Sequence, residues 1–146
     1  MLTTLDRSVI GRRSEPITYE IDESEIRRFA EAVAARDAIH FDRDAARAAG
    51  FSGVVAPPTF PIALRPRDVR DGLGIDMRKL LHGEQEFRFE RPIVAGDRIS
   101  VVGEIVDVGE KVGKSGVMKS LTVAVRGVDA ANRLVFESCS TVLIRS

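Results

Sequence analysis

A two-residue hydrophobic period governs the second half of this chain and limits it to a sheet-based fold. From Leu80 onward Phe87 and Phe89 fall on one side, while Glu86 and Arg88 fall on the other. This alternation predicts a strand with one buried face. Three further segments show the same character: 98–108, 117–128 and 133–144. Only short turn-rich segments separate them, so we predict antiparallel pairing, with Gly103 as a bulge.

The first half has helical periodicity instead. Asp22 is a predicted N-cap with Glu25 three residues later, and an apolar stripe follows: Ile26, Phe29, Ala30 and Val33. A second, alanine-rich helix is predicted after Asp42, ending before Gly50. A third helix is predicted from Thr59 to about residue 64. Pro57 and Pro58, which have no N–H group, suit its start, whereas Pro61 and Pro66 keep it short.

Helices followed by a mostly antiparallel sheet indicate an α+β domain. One face of such a sheet must be covered, and we expect the helix that begins at Thr59 to cover it. The length fits one domain, residues 1–146. Exposed sheet edges favour oligomerisation.

Composition excludes several classes of function. The chain has 22 basic and 22 acidic side chains, a balance that argues against nucleic acid as the main partner. Its apolar runs are too short to predict a membrane span. The single cysteine, Cys139, has no disulfide partner within the chain and no metal-ligand spacing around it. Without a recognisable leader, we expect a cytoplasmic protein with no metal site.

Polar residues that could carry chemistry cluster between Asp37 and Phe60. Asp37, His40 and Asp42 occur within six residues, and Gly-Phe-Ser-Gly-Val-Val-Ala-Pro-Pro-Thr-Phe follows at 50–60. Histidine suits acid–base chemistry because its unperturbed pKa lies near neutrality. A lone histidine is equally compatible with a structural role.

These segments resemble the N-terminal type of MaoC-like dehydratase domain. The resemblance rests on Asp-Ala-Ile-His-Phe-Asp at 37–42, Val-Ala-Pro-Pro-Thr-Phe at 55–60, Leu-His-Gly-Glu-Gln-Glu-Phe at 81–87 and Arg-Pro-Ile-Val-Ala-Gly-Asp at 91–97. That family includes FAS1-like dehydratases and subunits of mycobacterial (3R)-hydroxyacyl carrier-protein dehydratases. The resemblance implies the hot-dog fold, a curved antiparallel sheet wrapped around a central helix.

The resemblance also implies a reaction. Catalytic members of the family hydrate trans-2-enoyl thioesters or dehydrate (3R)-hydroxyacyl thioesters, as in fatty acid metabolism. Their signature resembles Gly-Asp-x-Asn-Pro-x-His, and coenzyme A or acyl carrier protein carries the substrate without a further cofactor. On this chain His40 takes the histidine position, whereas the glycine and aspartate fall on Ala34 and Ala35.

Two roles remain open for each remaining candidate residue. Asp37 either replaces the missing catalytic carboxylate beside His40 or caps the loop. Pro58, Thr59 and Phe60 either bind the substrate, with the N–H of Thr59 or Phe60 stabilising the thioester oxygen, or simply begin a helix. His82 is interpreted as structural. The basic group Arg65, Arg67, Arg70, Arg78 and Lys79 is a solvated face or meets a phosphorylated carrier.

The resulting prediction is an acyl-thioester-binding protein that acts as an (R)-specific enoyl-CoA hydratase or 3-hydroxyacyl thioester dehydratase. The alternative is a non-catalytic substrate-binding subunit of a heterodimeric dehydratase, and a thioesterase is the third possibility. The expected assembly is a homodimer, or a heterodimer with a second hot-dog subunit.

Overall fold

The computed structural model describes residues 5–146, so residues 1–4 of the predicted 1–146 domain lie outside the described residues. The strands are β1 (Ile17–Glu20), β2 (Leu80–Phe89), β3 (Arg98–Gly113), β4 (Gly116–Val128) and β5 (Leu134–Ile144). The α-helices are α1 (Glu23–Ala32) and α2 (Arg43–Ala48). Short 3-10 turns occupy Arg7–Val9, Ala38–His40, Phe60–Ala63 and Met77–Lys79.

The five strands form one antiparallel sheet in the order β1-β3-β4-β5-β2. A two-residue turn at Lys114 and Ser115 joins β3 to β4, and the loop 129–133 joins β4 to β5. Strands β1 and β2 are therefore the edges. The edge at β1 is four residues long, whereas β2 offers ten residues of mostly exposed edge. The fold class and the positions of β2 to β5 are as predicted, except that β3 continues five residues beyond its predicted end at residue 108.

Helix α1 forms because Asp22 caps it and an apolar stripe faces the sheet. The Asp22 carboxylate accepts a hydrogen bond from the N–H of Ser24 at 3.0 Å. Ile26 and Ala30 are fully buried, and the ring of Phe29 meets that of Phe60 edge-on at 5.4 Å. Truncating a side chain buried like Ile26 to alanine typically costs about 2–5 kcal/mol. The stripe is therefore the main attachment of α1 to the sheet.

The core lies on one face of the sheet in two clusters. The first joins α1 and the Phe60–Ala63 turn to β3 and β5, and its largest members are Phe60, Phe136, Ile26, Ile93 and Ile99. The second lies toward the β3–β4 hairpin and contains Leu5, Val9, Val69, Leu73, Ile105, Val108, Leu121 and Val142. Segments 5–9 and 69–73 thus cover the end of the sheet that α1 does not reach.

Two local predictions differ from the structure. The segment predicted as a helix from Thr59 is a 3-10 turn, Phe60–Ala63, because Pro61 lies within it and Pro66 follows shortly after. This turn shares the covering role with α1. Gly103 is not a bulge: it pairs regularly with Val125, and the bulge lies between Ile105 and Asp107.

Gly103 serves close packing instead. A β-carbon at this position would lie 3.1 Å from Cγ of Pro66, so only glycine lets the proline rest on the strand. The turn between β3 and β4 is tight, since β3 continues to Gly113 and β4 begins at Gly116. Within residues 5–146 no helix combines the length and apolar character needed to cross a lipid bilayer.

Candidate functional site

The candidate site begins where α1 ends. The N–H of Ala34 donates to the carbonyl of Glu31 at 3.1 Å, and the N–H of Ala35 donates to that of Ala30 at 2.9 Å. This pair of bonds is the Schellman arrangement, in which the residue after the helix adopts a left-handed conformation. Ala34 has φ +55°, as the motif requires. The chain therefore leaves the helix at the position where the resembled signature carries glycine.

Asp37 caps the turn that carries His40. Its Oδ1 accepts a hydrogen bond from the N–H of Ile39 at 3.2 Å, and the 3-10 turn Ala38–His40 follows directly. Asp42 caps α2 in the same way, accepting from the N–H of Asp44 at 2.7 Å. The geometry of Asp37 is thus that of the loop cap, with one carboxylate oxygen directed at its own backbone.

His40 is oriented by a backbone carbonyl. Its Nδ1 lies 2.6 Å from the carbonyl oxygen of Val55, and the ring is half-buried. A carbonyl can only accept a hydrogen bond, so Nδ1 carries the proton of this contact. In the neutral ring Nε2 then keeps its lone pair. His40 is consequently held as a proton acceptor at Nε2.

The segment that supplies this carbonyl is fixed on both sides. The N–H of Val55 donates to the carbonyl of Ile39 at 2.9 Å, which ties it to the turn of His40. Residues 54–56 pair with 93–95 in a short antiparallel ladder. The N–H of Ala56 donates to the carbonyl of Ile93, and the N–H of Ala95 donates to the carbonyl of Val54. The position of the Val55 carbonyl therefore depends on the 93–95 segment.

An ion pair holds that segment in turn. Arg91 makes two hydrogen bonds to Asp97, at 2.8 and 3.2 Å. The Asp97 carboxylate also accepts the N–H of Val94 at 2.9 Å, inside the ladder. Bidentate, partly shielded pairs of this type are among the stronger hydrogen bonds in proteins. Arg91 and Asp97 thus brace the turn on which the orientation of His40 depends.

The turn at Pro57–Phe60 leaves one of its N–H groups without a backbone partner in the described chain. Pro58 has no N–H, and that of Phe60 donates to the carbonyl of Pro57 at 2.9 Å. Phe60 itself is buried in the core, whereas Pro58 and Thr59 are exposed. Of the two donors considered from the sequence, Thr59 N–H is the one that can face a ligand.

A groove of about 620 Å³ begins immediately after this turn. It lies on the core-facing side of the sheet, over β4, β5 and β2, where α1 does not extend. Apolar and small polar side chains form its floor: Val123, Val125, Phe87, Gln85, Ser138 and Ser140. Segment 61–70 forms one wall, including Arg65 and Arg67. His40 does not line the groove, so the groove and the histidine are separate features of the structure.

A larger concavity, about 1180 Å³, occupies the opposite face of the sheet. It contains Cys139 but none of the predicted site residues. Burial, followed by the nearby Glu86 and Glu84 carboxylates, raises the pKa of the Cys139 thiol above its ordinary value. The thiol is therefore protonated near neutral pH and poorly nucleophilic.

The sequence proposed His40, Asp37 and Thr59 as site residues but did not show which contacts position them. The partner of His40 is a backbone carbonyl 15 residues away, which no side-chain pattern signals. The roles of Arg91 and Asp97 were open to detection, since both belong to the Arg-Pro-Ile-Val-Ala-Gly-Asp segment. Opposite charges flanking a Gly-containing turn are a recognisable sign of a bridged loop.

Comparison with known proteins identifies the group to which this architecture belongs. The family model described as "FAS1-like, dehydratase domain region" matches residues 8–138. The UPF0336 protein of Saccharopolyspora erythraea is 44% identical over 115 residues, which cover 75% of this chain and 74% of that protein.

Solved structures agree on the fold. A MaoC-like dehydratase superposes with a TM-score of 0.84 at 28% identity, over 95% of this chain and 43% of that chain. The present chain thus spans less than half the length of that protein. The HadBC (3R-hydroxyacyl-ACP dehydratase) complex from Mycobacterium tuberculosis gives a TM-score of 0.77 at 23% identity, over 92% and 96% of the two chains, which shows the fold alone.

These matches confirm the predicted hot-dog fold, an antiparallel five-stranded sheet packed against a helix. They also confirm the MaoC-like resemblance, since the matched residues 8–138 include all four segments on which it rests. The chain belongs to the FAS1-like dehydratase family.

Proposed function

We propose that the protein adds water to trans-2-enoyl thioesters, or removes it from (3R)-hydroxyacyl thioesters, with His40 as the acid–base residue. The observation that supports this most directly is the contact of 2.6 Å between Nδ1 of His40 and the Val55 carbonyl. It leaves Nε2 as the proton acceptor, as general base catalysis requires. Family membership supplies the reaction class.

Hydration places three demands on the site. Nε2 of His40 removes a proton from water as the water oxygen bonds to C3 of the substrate. The electrons of the double bond move toward the thioester carbonyl, whose oxygen needs a hydrogen-bond donor. A proton must then reach C2, and protonated His40 can return the one it accepted. Dehydration is the reverse, so no redox cofactor or metal takes part in the proposed reaction.

Thr59 N–H is the proposed donor to the thioester oxygen. Of the predicted substrate-binding residues, Pro58 lacks an N–H and that of Phe60 already donates to Pro57. In this proposal Pro58 shapes the turn and Phe60 anchors it in the core through Phe29. A backbone donor on an anchored turn is preorganised, which is the condition under which such donors contribute most.

A second candidate function is the non-catalytic substrate-binding subunit. The observation that favours it is the absence of a carboxylate at Ala35, where the resembled signature carries aspartate, together with the cap geometry of Asp37. In this reading a second hot-dog chain supplies the complete acid–base pair. The similar mycobacterial HadBC dehydratase is itself a complex.

Either candidate function is compatible with association through β2. This strand forms ten residues of free sheet edge, and Leu81 and Phe89 on it are 40% and 38% exposed. An uncovered edge of that length readily pairs with another strand. We propose that a second hot-dog chain, identical or different, docks there and encloses the groove.

Hydration of crotonyl-CoA by the purified protein tests the proposal. We compare wild type with His40→Ala and His40→Asn, since the asparagine amide can still donate to Val55 while lacking Nε2. Loss of at least a hundredfold in kcat in both variants is expected. Lys111→Ala, which truncates an exposed side chain of β3 that lines neither the groove nor the larger concavity, serves as the control and should retain activity.

The outcomes separate the two candidates. Full activity in His40→Asn would refute the acid–base role of His40. Inactive wild-type protein that becomes active only when mixed with a signature-complete hot-dog chain would establish the binding-subunit alternative. Release of free thiol from an acyl-CoA, without hydration, would instead indicate a thioesterase.

A further inference from the structure

Arg65 and Arg67 lie on either side of Pro66, in a short segment that contacts β1 and β3. The hydroxyl of Tyr19 donates to the carbonyl of Arg65 at 2.7 Å. Pro66 packs against Gly103, where any β-carbon would come within about 3.1 Å of the proline ring. The backbone between the two arginines is therefore held in place. Their side chains project from a fixed support rather than from a mobile loop.

Neither guanidinium group has a partner in the described part of the chain, in contrast to their neighbours. Arg70 pairs with Asp68 at 2.9 Å, and Arg78 pairs with Asp76 at 3.0 Å. Arg65 and Arg67 make no comparable side-chain bond within residues 5–146 and are exposed. Of the five basic residues predicted from the sequence, Arg70 and Arg78 are thus ion-paired, whereas Arg65, Arg67 and Lys79 have no ion pair within the described residues.

Both arginines line the rim of the 620 Å³ groove. Its charged lining consists of three arginines and one aspartate, so the rim carries a positive surplus. Two serine hydroxyls and the Gln85 amide lie on the floor among valines and Phe87. A hydrocarbon chain would not use these polar groups. A chain that alternates methylene and amide groups would use them all.

We propose that Arg65 and Arg67 bind the phosphate of a phosphopantetheine carrier whose arm lies in the groove. Guanidinium groups bind phosphate oxygens in bidentate geometry. The turn Phe60–Ala63, with a rise of about 2 Å per residue, separates Thr59 from the arginine segment by about 8 Å. The pantetheine arm is long enough to join the two places. This inference rests on the proposed function, since it assumes that the thioester lies near Thr59.

Binding of unreactive carriers tests the assignment independently of catalysis. Calorimetry compares coenzyme A, dephospho-coenzyme A, pantetheine and holo-acyl carrier protein on wild type and on the double variant Arg65→Gln/Arg67→Gln. Wild type should bind coenzyme A at least tenfold more tightly than pantetheine, and the double variant should lose that difference. Added salt should weaken wild-type binding more than it weakens binding by the variant.

Further arms of the experiment identify the phosphate that is bound. Equal loss for coenzyme A and holo-acyl carrier protein assigns the arginines to the phosphate shared by both carriers. If the double variant loses affinity for coenzyme A but not for dephospho-coenzyme A or holo-acyl carrier protein, the arginines bind the 3′-phosphate of the nucleotide instead.

Arg78→Gln is the matched control. It removes the same charge from an exposed arginine that is already paired with Asp76 and does not line the groove. The proposal is overturned if the double variant binds coenzyme A as tightly as wild type does. It is also overturned if Arg78→Gln loses as much affinity for coenzyme A as the double variant loses. Thermal unfolding of each variant checks that it folds, and charge reversal by Arg67→Glu provides a second test. His40→Asn should keep full affinity for coenzyme A, so failure of the proposed catalysis and failure of this binding site give different results.

Discussion

Replacing Ala34 by glycine is expected to stabilise the protein. Ala34 has φ +55°, the left-handed region in which the β-carbon of an alanine crowds the following carbonyl oxygen. The conformation cannot relax cheaply, because the hydrogen bonds of Ala34 to Glu31 and of Ala35 to Ala30 both depend on it. Glycine has no β-carbon and adopts the same conformation without strain.

The magnitude follows from two opposing effects. The left-handed conformation costs an alanine about 1–2 kcal/mol. Glycine gives back part of this gain, about 0.4–1 kcal/mol, because its unfolded chain has more conformational freedom to lose. The free energy of unfolding should therefore rise by about 0.5–1 kcal/mol, which corresponds to about 1–4 °C in Tm for a domain of this size.

Urea unfolding followed by circular dichroism measures the change, at a fixed protein concentration because association would itself alter stability. Ala32→Gly is the control: Ala32 is the last residue of α1, and glycine there should lower stability by about 0.5–1 kcal/mol. If Ala34→Gly is as stable as wild type or less stable, strain at Ala34 is refuted. If both glycine variants are destabilised equally, the Schellman geometry is wrong.

Three other substitutions test packing, positioning and catalysis. Gly127→Ala would place a β-carbon 2.2 Å from a ring carbon of Phe136, which is fully buried. Urea unfolding should therefore show that the free energy of unfolding falls by about 1–3 kcal/mol. A variant as stable as wild type would contradict this contact. Asp97→Asn should lower kcat about ten- to a hundredfold, because it loosens the ladder that orients His40. If the nitrogen NMR signals of the His40 ring are the same in the variant as in wild type, this positioning role is refuted. Ala35→Asp should raise the rate of crotonyl-CoA hydration, and an unchanged rate would show that a carboxylate there does not reach the reaction.

Most of the fold was predictable because its determinants are local and repeated. Asp22 and Asp42 each cap a helix at the predicted residue, and Gly50 follows α2 with φ +94°. The strands were placed correctly because alternation over ten or more residues excludes other structures. These signals lie in the identity and spacing of side chains, which the sequence displays directly.

The remaining features depend on contacts between distant segments. Gly103 was assigned to a bulge, as an isolated glycine in a strand often is, but its role is to receive Pro66. Similarly, the site was predicted at His40 with Asp37 as its candidate carboxylate, yet His40 is oriented by the carbonyl of Val55. Every residue has a carbonyl, so no sequence pattern distinguishes the one that a folded chain brings to a histidine.

The carbonyl of Val55 explains why the site can keep its geometry without the acid of the resembled signature. A carbonyl and a carboxylate both accept the Nδ1 proton and both leave Nε2 of His40 free. Only the carboxylate carries a charge that stabilises the imidazolium formed when His40 takes a proton from water. In the proposed mechanism a carboxylate at residue 35 helps by stabilising this imidazolium, so its benefit should disappear in the double variant Ala35→Asp/His40→Asn. A gain in rate that persists without His40 would place the base elsewhere and would contradict the proposed mechanism.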